Sequence, residues 1–200
     1  MKKIFGDGTL CPYCGKIHIS LTQKIDFSHQ VGQDDCKKRC DIIIAKLNIE
    51  SEGAIGERLF SGRKAFYQLA LENENNTALI FDENNVSAGI EYLNLSLDKG
   101  LPVVVGVNHT FFKDKTKNKK INELTTDHFV VIVGRGCNNG RIYYNFWDVG
   151  TQYGKVNDYK FFFDENNHLY CPSDFRKRKT HITQIRRNKD KVTKEYIKLK

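Results

Sequence analysis

Residues 128–148 read HFVVIVGRGCNNGRIYYNFWD. Two apolar runs, 128–134 and 141–148, flank RGCNNG, a cluster of turn formers, so the spacing predicts an antiparallel hairpin. Strand alternation puts Tyr144, Phe146 and Asp148 on one face of the second run and Tyr143, Asn145 and Trp147 on the other. His128, Val130 and Ile132 share a face of the first. Doubling back returns the chain near 148 to the side of residue 128. An imidazole then meets either the carboxylate of Asp148 or the amide of Asn145. Three residues separate the two, so only one can face His128. The carboxylate is the expected choice, because it stabilises an imidazolium better than a neutral amide does.

Outward from the hairpin, LPVVVGVN at 101–108 is a further short apolar strand. AFYQLALE and TALIFD are strand-like runs separated by NENN, and FFF at 161–163 with HLYC at 168–171 suggests another hairpin. From Asp82 a helical period places Val86, Ile90, Leu93 and Leu97 on one face, with Gly100 as a stop. Residues 34–48 read as an earlier helix. Asp34 or Asp35 is its cap, and Cys36, Cys40, Ile43 and Leu47 form one face. Helices early and strands late predict an α+β fold with a mostly antiparallel sheet.

The chain of 200 residues has 40% hydrophobic and 28% charged residues, ordinary for a globular protein. No run reaches the ~18 apolar residues of a membrane span, and MKKIFGDGTL has no apolar signal region. The expectation is a chain made in the cytoplasm without a signal peptide, exported only by a dedicated secretion system, with no membrane partner. Residues 171–200 hold 11 basic and 3 acidic residues, which supplies the whole net charge of +8. The neutral body argues against nucleic acid as the partner. The basic stretch reads as a solvated tail, giving three expected segments: 1–22, 23–170 and 171–200.

In QVGQDDCKKRC, residues 30–40, a capped helix places Cys36 in the first turn, where unpaired N–H groups and the helix dipole favour a thiolate. Cys40 lies one turn deeper and is expected to be packed. A thiol nucleophile needs a base and the base an orienting group. His128 with Asp148, or alternatively Asn145, supplies both.

Gln30-Val31-Gly32-Gln33-Asp34-Asp35-Cys36 resembles the active-site entry of the bacteriocin-processing, double-glycine leader peptidases, a papain-like family. TDHFVVIVG, YYNFWDVGT and DKGLPVVVGVN resemble the strands that follow in that family. The resemblance spans roughly residues 28–150. It implies a papain-like fold, in which an N-terminal helix bearing the nucleophile packs on the sheet. It also implies Gln30 as oxyanion donor, Cys36 as nucleophile, His128 as general base and acid, and Asp148 as orienting acid. At residue 37 the chain departs from the family, with Lys37 in place of its glycine.

Cys11-Pro12-Tyr13-Cys14-Gly15, followed by His18, looks like half a zinc knuckle. Cys11 and Cys14 would be two ligands, His18 a third, and Cys171 or His29 a fourth from afar. A metal-free knuckle and an oxidised Cys11–Cys14 pair remain open. The segment also resembles the opening of C-terminal toxin modules in bacterial polymorphic toxins and secreted antibacterial effectors. The expected function is a cysteine peptidase or peptidoglycan amidase using a Cys-His-Asp triad, with a protein or peptidoglycan peptide as substrate and a cognate immunity protein as partner. The alternatives are a transglutaminase-like acyl-transferring toxin, or a non-catalytic binding module using the knuckle and tail. No cofactor is required, and a structural zinc is the one candidate.

Overall fold

Asn139 and Gly140 both take positive φ, at 51° and 82°, and Asn138 sits opposite Arg141. This is a two-residue hairpin turn whose backbone twist matches the strands it joins. The flanking strands are therefore longer than the apolar runs suggest, because RGCN belongs to the first of them. A computed structural model describes this hairpin and the rest of the fold for residues 8–12, 14–27, 36–51, 65–75, 77–108, 125–155, 158–174, 177 and 179–199.

The described elements, in chain order, begin with β1 (Ile19–Ser20), α1 (Cys36–Ile44), β2 (Ile49–Ser51) and β3 (Phe66–Gln68). Next come β4 (Ala70–Glu72), β5 (Leu79–Phe81), α2 (Glu83–Asp98) and β6 (Val103–Asn108). The hairpin strands are β7 (His128–Asn138) and β8 (Arg141–Asp148). They are followed by β9 (Lys160–Phe163), β10 (Leu169–Cys171), β11 (Thr180–Arg186) and β12 (Asn188–Asp190).

The strand order β7-β6-β11-β10-β9-β8, with β8 pairing back to β7, closes six antiparallel strands into a barrel. β1 extends β7 and β3 joins β11. This overturns the papain-like α+β expectation of a helix on an open sheet: the molecule is mostly sheet, and the sheet is closed. The strand that closes it is β11, inside the segment expected to be a solvated tail. Ile182 and Ile185 are both fully buried, yet three residues apart. A bulge between Ile182 and Gln184 puts them on the same face, and this break in the period of two hid the strand. The expected boundary at 170/171 thus cuts through the barrel. The one at 22/23 separates β1 from the β7 strand it pairs with.

Two core clusters lie on opposite faces of β6, β7 and β8. Val105, Val130, Ile132 and Phe146 join α2 residues Leu93 and Leu97 in one. Val104, Phe129, Val131 and Trp147 join Cys40, Ile43 and Ile44 of α1 in the other. Both faces of β6 are buried, as its uninterrupted apolar run requires. Each fully buried aliphatic side chain contributes about 1.5–3 kcal/mol.

α2 is capped by Asp82, whose carboxylate accepts from the Asn85 backbone N–H at 3.1 Å. α1 is shorter than the sequence period suggests. It passes into a 3-10 turn at Ala45–Leu47 and stops at Asn48, which takes φ 56°. Cys36, Cys40, Ile43 and Leu47 still share the face that packs on the sheet. The capping residues Asp34 and Asp35 lie outside the described residues.

Candidate active site and thiol cluster

His128 opens β7 and Asp148 ends β8. Val130 sits opposite Asp148, so His128, two residues earlier, is diagonal to the carboxylate on the same face. The imidazole Nε2 stands 2.7 Å from Asp148 Oδ1. The alternative orienting residue, Asn145, sits opposite Gly134 and alternates onto the other face. Asp148 is 2% exposed, and the Gly150 backbone N–H donates to the same Oδ1 at 2.8 Å. Residue 150 has to be small. A Cβ there would lie 3.0 Å from Oδ1 and 3.2 Å from the imidazole ring. The chain then folds back over the carboxylate, with the Asp148 N–H donating to the Gly154 carbonyl at 2.9 Å.

Cys36, on the first turn of α1, lies close enough to the same imidazole to act on its pKa. Burial alone pushes His128 down, but the hydrogen bonds to Asp148 and Cys36, and the charges of both, outweigh it and raise its pKa from 6.5 to about 9. The shift favours the imidazolium form of His128 beside the Asp148 carboxylate. Cys40 differs sharply. It is fully buried, and burial, with the nearby negative charge of Cys36, Asp41 and Asp148, pushes its thiol well above the ordinary value. One thiol of the helix is partly exposed and the other is fully packed.

Three of the four residues expected in the site, Cys36, His128 and Asp148, are thus brought together. Gln30, the expected oxyanion donor, lies outside the described residues, as does His29. Trp147 belongs to the core, packed edge-on against Phe27 with ring centroids 5.8 Å apart.

The N-terminal knuckle forms as the sequence suggests. The Cys11 N–H donates to the Lys16 carbonyl and the Gly15 N–H to the Cys11 carbonyl, both at 2.9 Å, with Gly15 at φ +64°. Its ligand set differs from expectation. The third thiol is Cys137, one residue before the end of β7. The sulfurs of Cys11, Cys14 and Cys137 all lie within 4.8 Å of one another and could hold a metal ion. The β1–β7 pairing produces this meeting. Ile19 sits opposite Arg135, which carries the knuckle to the hairpin tip. The approach is close enough that a Cβ at Gly134 would lie 2.4 Å from the Ile19 carbonyl oxygen. His18 is buried but is not part of the group. Cys171 lies apart from it, with its thiol donating to the Ser173 carbonyl at 3.3 Å. Cys137 was legible only as a cysteine beside an Asn-Gly turn, which by itself says nothing about the knuckle.

No family model matches this chain, and no curated protein or solved structure matches it.

Proposed function

We propose that this protein is a cysteine hydrolase that cleaves an amide bond through a thioester on Cys36. The observation that carries the reading is the 2.7 Å contact of the His128 imidazole with the Asp148 carboxylate, with Cys36 near enough to the ring to raise its pKa. In this mechanism the Cys36 sulfur attacks the carbonyl carbon, and the imidazolium gives its proton to the leaving amine. The neutral imidazole then takes a proton from water, which attacks the thioester and frees Cys36. Asp148 fixes the ring and stabilises its charged form. In this reading, unpaired backbone N–H groups of the first turn of α1 would receive the developing oxyanion, the role the resemblance gives to Gln30.

The substrate class is a protein or peptidoglycan peptide, and the setting an exported antibacterial effector with a cognate immunity protein. The test is hydrolysis of cross-linked peptidoglycan fragments and unfolded protein by the intact chain, with and without an added amine. Cleavage lost in Cys36→Ala supports the reading. Products capped by the amine instead of water would assign acyl transfer. A folded chain whose Cys36 reacts with thiol probes no faster than a free cysteine would overturn it.

For the cluster of Cys11, Cys14 and Cys137 we propose zinc, in a structural role. Thiolates on a rigid knuckle suit this borderline-soft ion. Such a metal joins the N-terminal segment to the β7–β8 hairpin tip, two parts of the chain held otherwise by the short β1 pairing.

A further inference from the structure

Lys37, the residue after the proposed nucleophile, is 7% exposed. Burying a lysine is costly unless its charge is paired and its protons are bonded. Here Nζ lies 2.6 Å from Asp41 Oδ2 and donates to the Ser51 carbonyl at 3.0 Å. The other oxygen of Asp41 accepts from the Ser51 backbone N–H at 3.1 Å and from its hydroxyl at 2.6 Å. Lysine, aspartate and serine together stitch the first turn of α1 to β2.

β2 is in turn fixed from behind. Ser51 sits opposite Asn188 of β12. The Asn188 backbone N–H donates to the Tyr92 hydroxyl oxygen at 2.7 Å, and its side-chain amide donates to the Pro102 carbonyl at 2.9 Å. The Cys36 turn is thereby braced against α2 and the start of β6. Among the described residues, the titratable groups facing this turn are Cys40 and Asp41 on α1, His128 on β7 and Asp148 on β8. Lys38 and Arg39 are further cations on this part of α1, and Lys37 is the one bonded to both Asp41 and the Ser51 carbonyl of β2.

We propose that Lys37 is a positioning residue for Cys36. Its ammonium, tied to Asp41 and the Ser51 carbonyl, locks the first turn of α1 onto β2 and balances the Asp41 charge on the helix that carries the thiol. This rests on Cys36 being the nucleophile. An apolar residue at 37 would leave Asp41 facing the site without its partner, a second negative charge added to Asp148.

The experiment is the pH profile of Cys36 alkylation by iodoacetamide, read by peptide mass spectrometry, in the full chain and in Lys37→Gln, Lys37→Met and Lys37→Arg. Gln keeps a donor for Asp41 and removes the charge, whereas Arg keeps both. The expected result is Cys36 alkylation slowed about tenfold near neutral pH in the Gln and Met variants, with the profile moved to higher pH, and a near-native profile in Arg. Titration of the His128 ring by NMR checks that the imidazole remains in its site. A Gln variant with the profile of the parent, in a protein whose Cys36 is selectively reactive, overturns the role of Lys37 alone. A parent whose Cys36 is not selectively reactive overturns the thiol site itself. Should neither neutral variant fold, Arg decides: a retained profile supports the proposal, and a slowed, displaced one in a folded protein defeats it.

Discussion

His128 and Asp148 are twenty residues apart in the chain and 2.7 Å apart in space, because one two-residue turn and one bulge set their strands in register. The bulge falls between Ile132 and Gly134, on β7, and leaves the alternation of β8 intact. That is why the carboxylate, and not the amide of Asn145, meets the imidazole.

Replacing Asp148 with Asn should lower the His128 pKa well below 9, because the carboxylate supplies the largest of the effects that oppose burial. Cys36→Ala should lower it by less. Ring-proton NMR titrations of both variants measure this. In any hydrolysis assay Asp148→Asn should lose on the order of 10²–10⁴-fold in rate.

Stability should fall between pH 6.5 and 9 through His128. Its folded pKa of about 9 lies above the unfolded value of 6.5, so the contribution is complete below 6.5 and lost as pH rises through 9. The loss is on the order of 3 kcal/mol. Urea unfolding across this range should show it, and the slope should flatten in Asp148→Asn.

Cys36 and Cys40 should separate cleanly. Cys36→Ala removes labelling by mild electrophiles at the helix while the protein stays folded. Cys40→Ala leaves Cys36 labelling in place and costs about 1–2 kcal/mol of stability from the lost packing. Labelling of Cys40 ahead of Cys36 in native protein would contradict the assignment.

One zinc per chain should be found after expression in zinc-supplemented medium. Cobalt substitution should show thiolate charge-transfer absorption that is lost in Cys137→Ser and retained in Cys36→Ser. Chelation should lower the melting temperature and open the Cys11 and Cys14 thiols to labelling first.

Truncation after residue 174 removes β11 and β12, including the buried Ile182, Ile185 and Arg186. The shortened chain should be insoluble or lack a cooperative thermal transition, whereas a dispensable tail would leave the melting temperature almost unchanged.

Much of the site was legible because it is built from local patterns. The period of α1 separates Cys36 from Cys40, and the Asn-Gly hairpin returns Asp148 to His128. The closed sheet was not, since β11 carries Thr180, Thr183, Gln184 and Arg186 among its isoleucines and reads as polar chain. Its neighbour β6 lies more than seventy residues earlier, a pairing no local period reports. The brace under Cys36 was equally hidden. A lysine in a helix reads as a solvated side chain until the strand that receives its proton is known.

Barrel closure also sets a schedule for folding. The β7–β8 hairpin joins neighbours through a two-residue turn and can form within microseconds. The β6–β11 seam has to find a partner more than seventy residues away, the kind of contact that slows folding. β12 follows β11 and backs β2, so the support beneath Cys36 also rests on a contact between distant parts of the chain. The local hairpin that joins His128 to Asp148 and the distant strands that brace the Cys36 turn are thus expected to form at different rates.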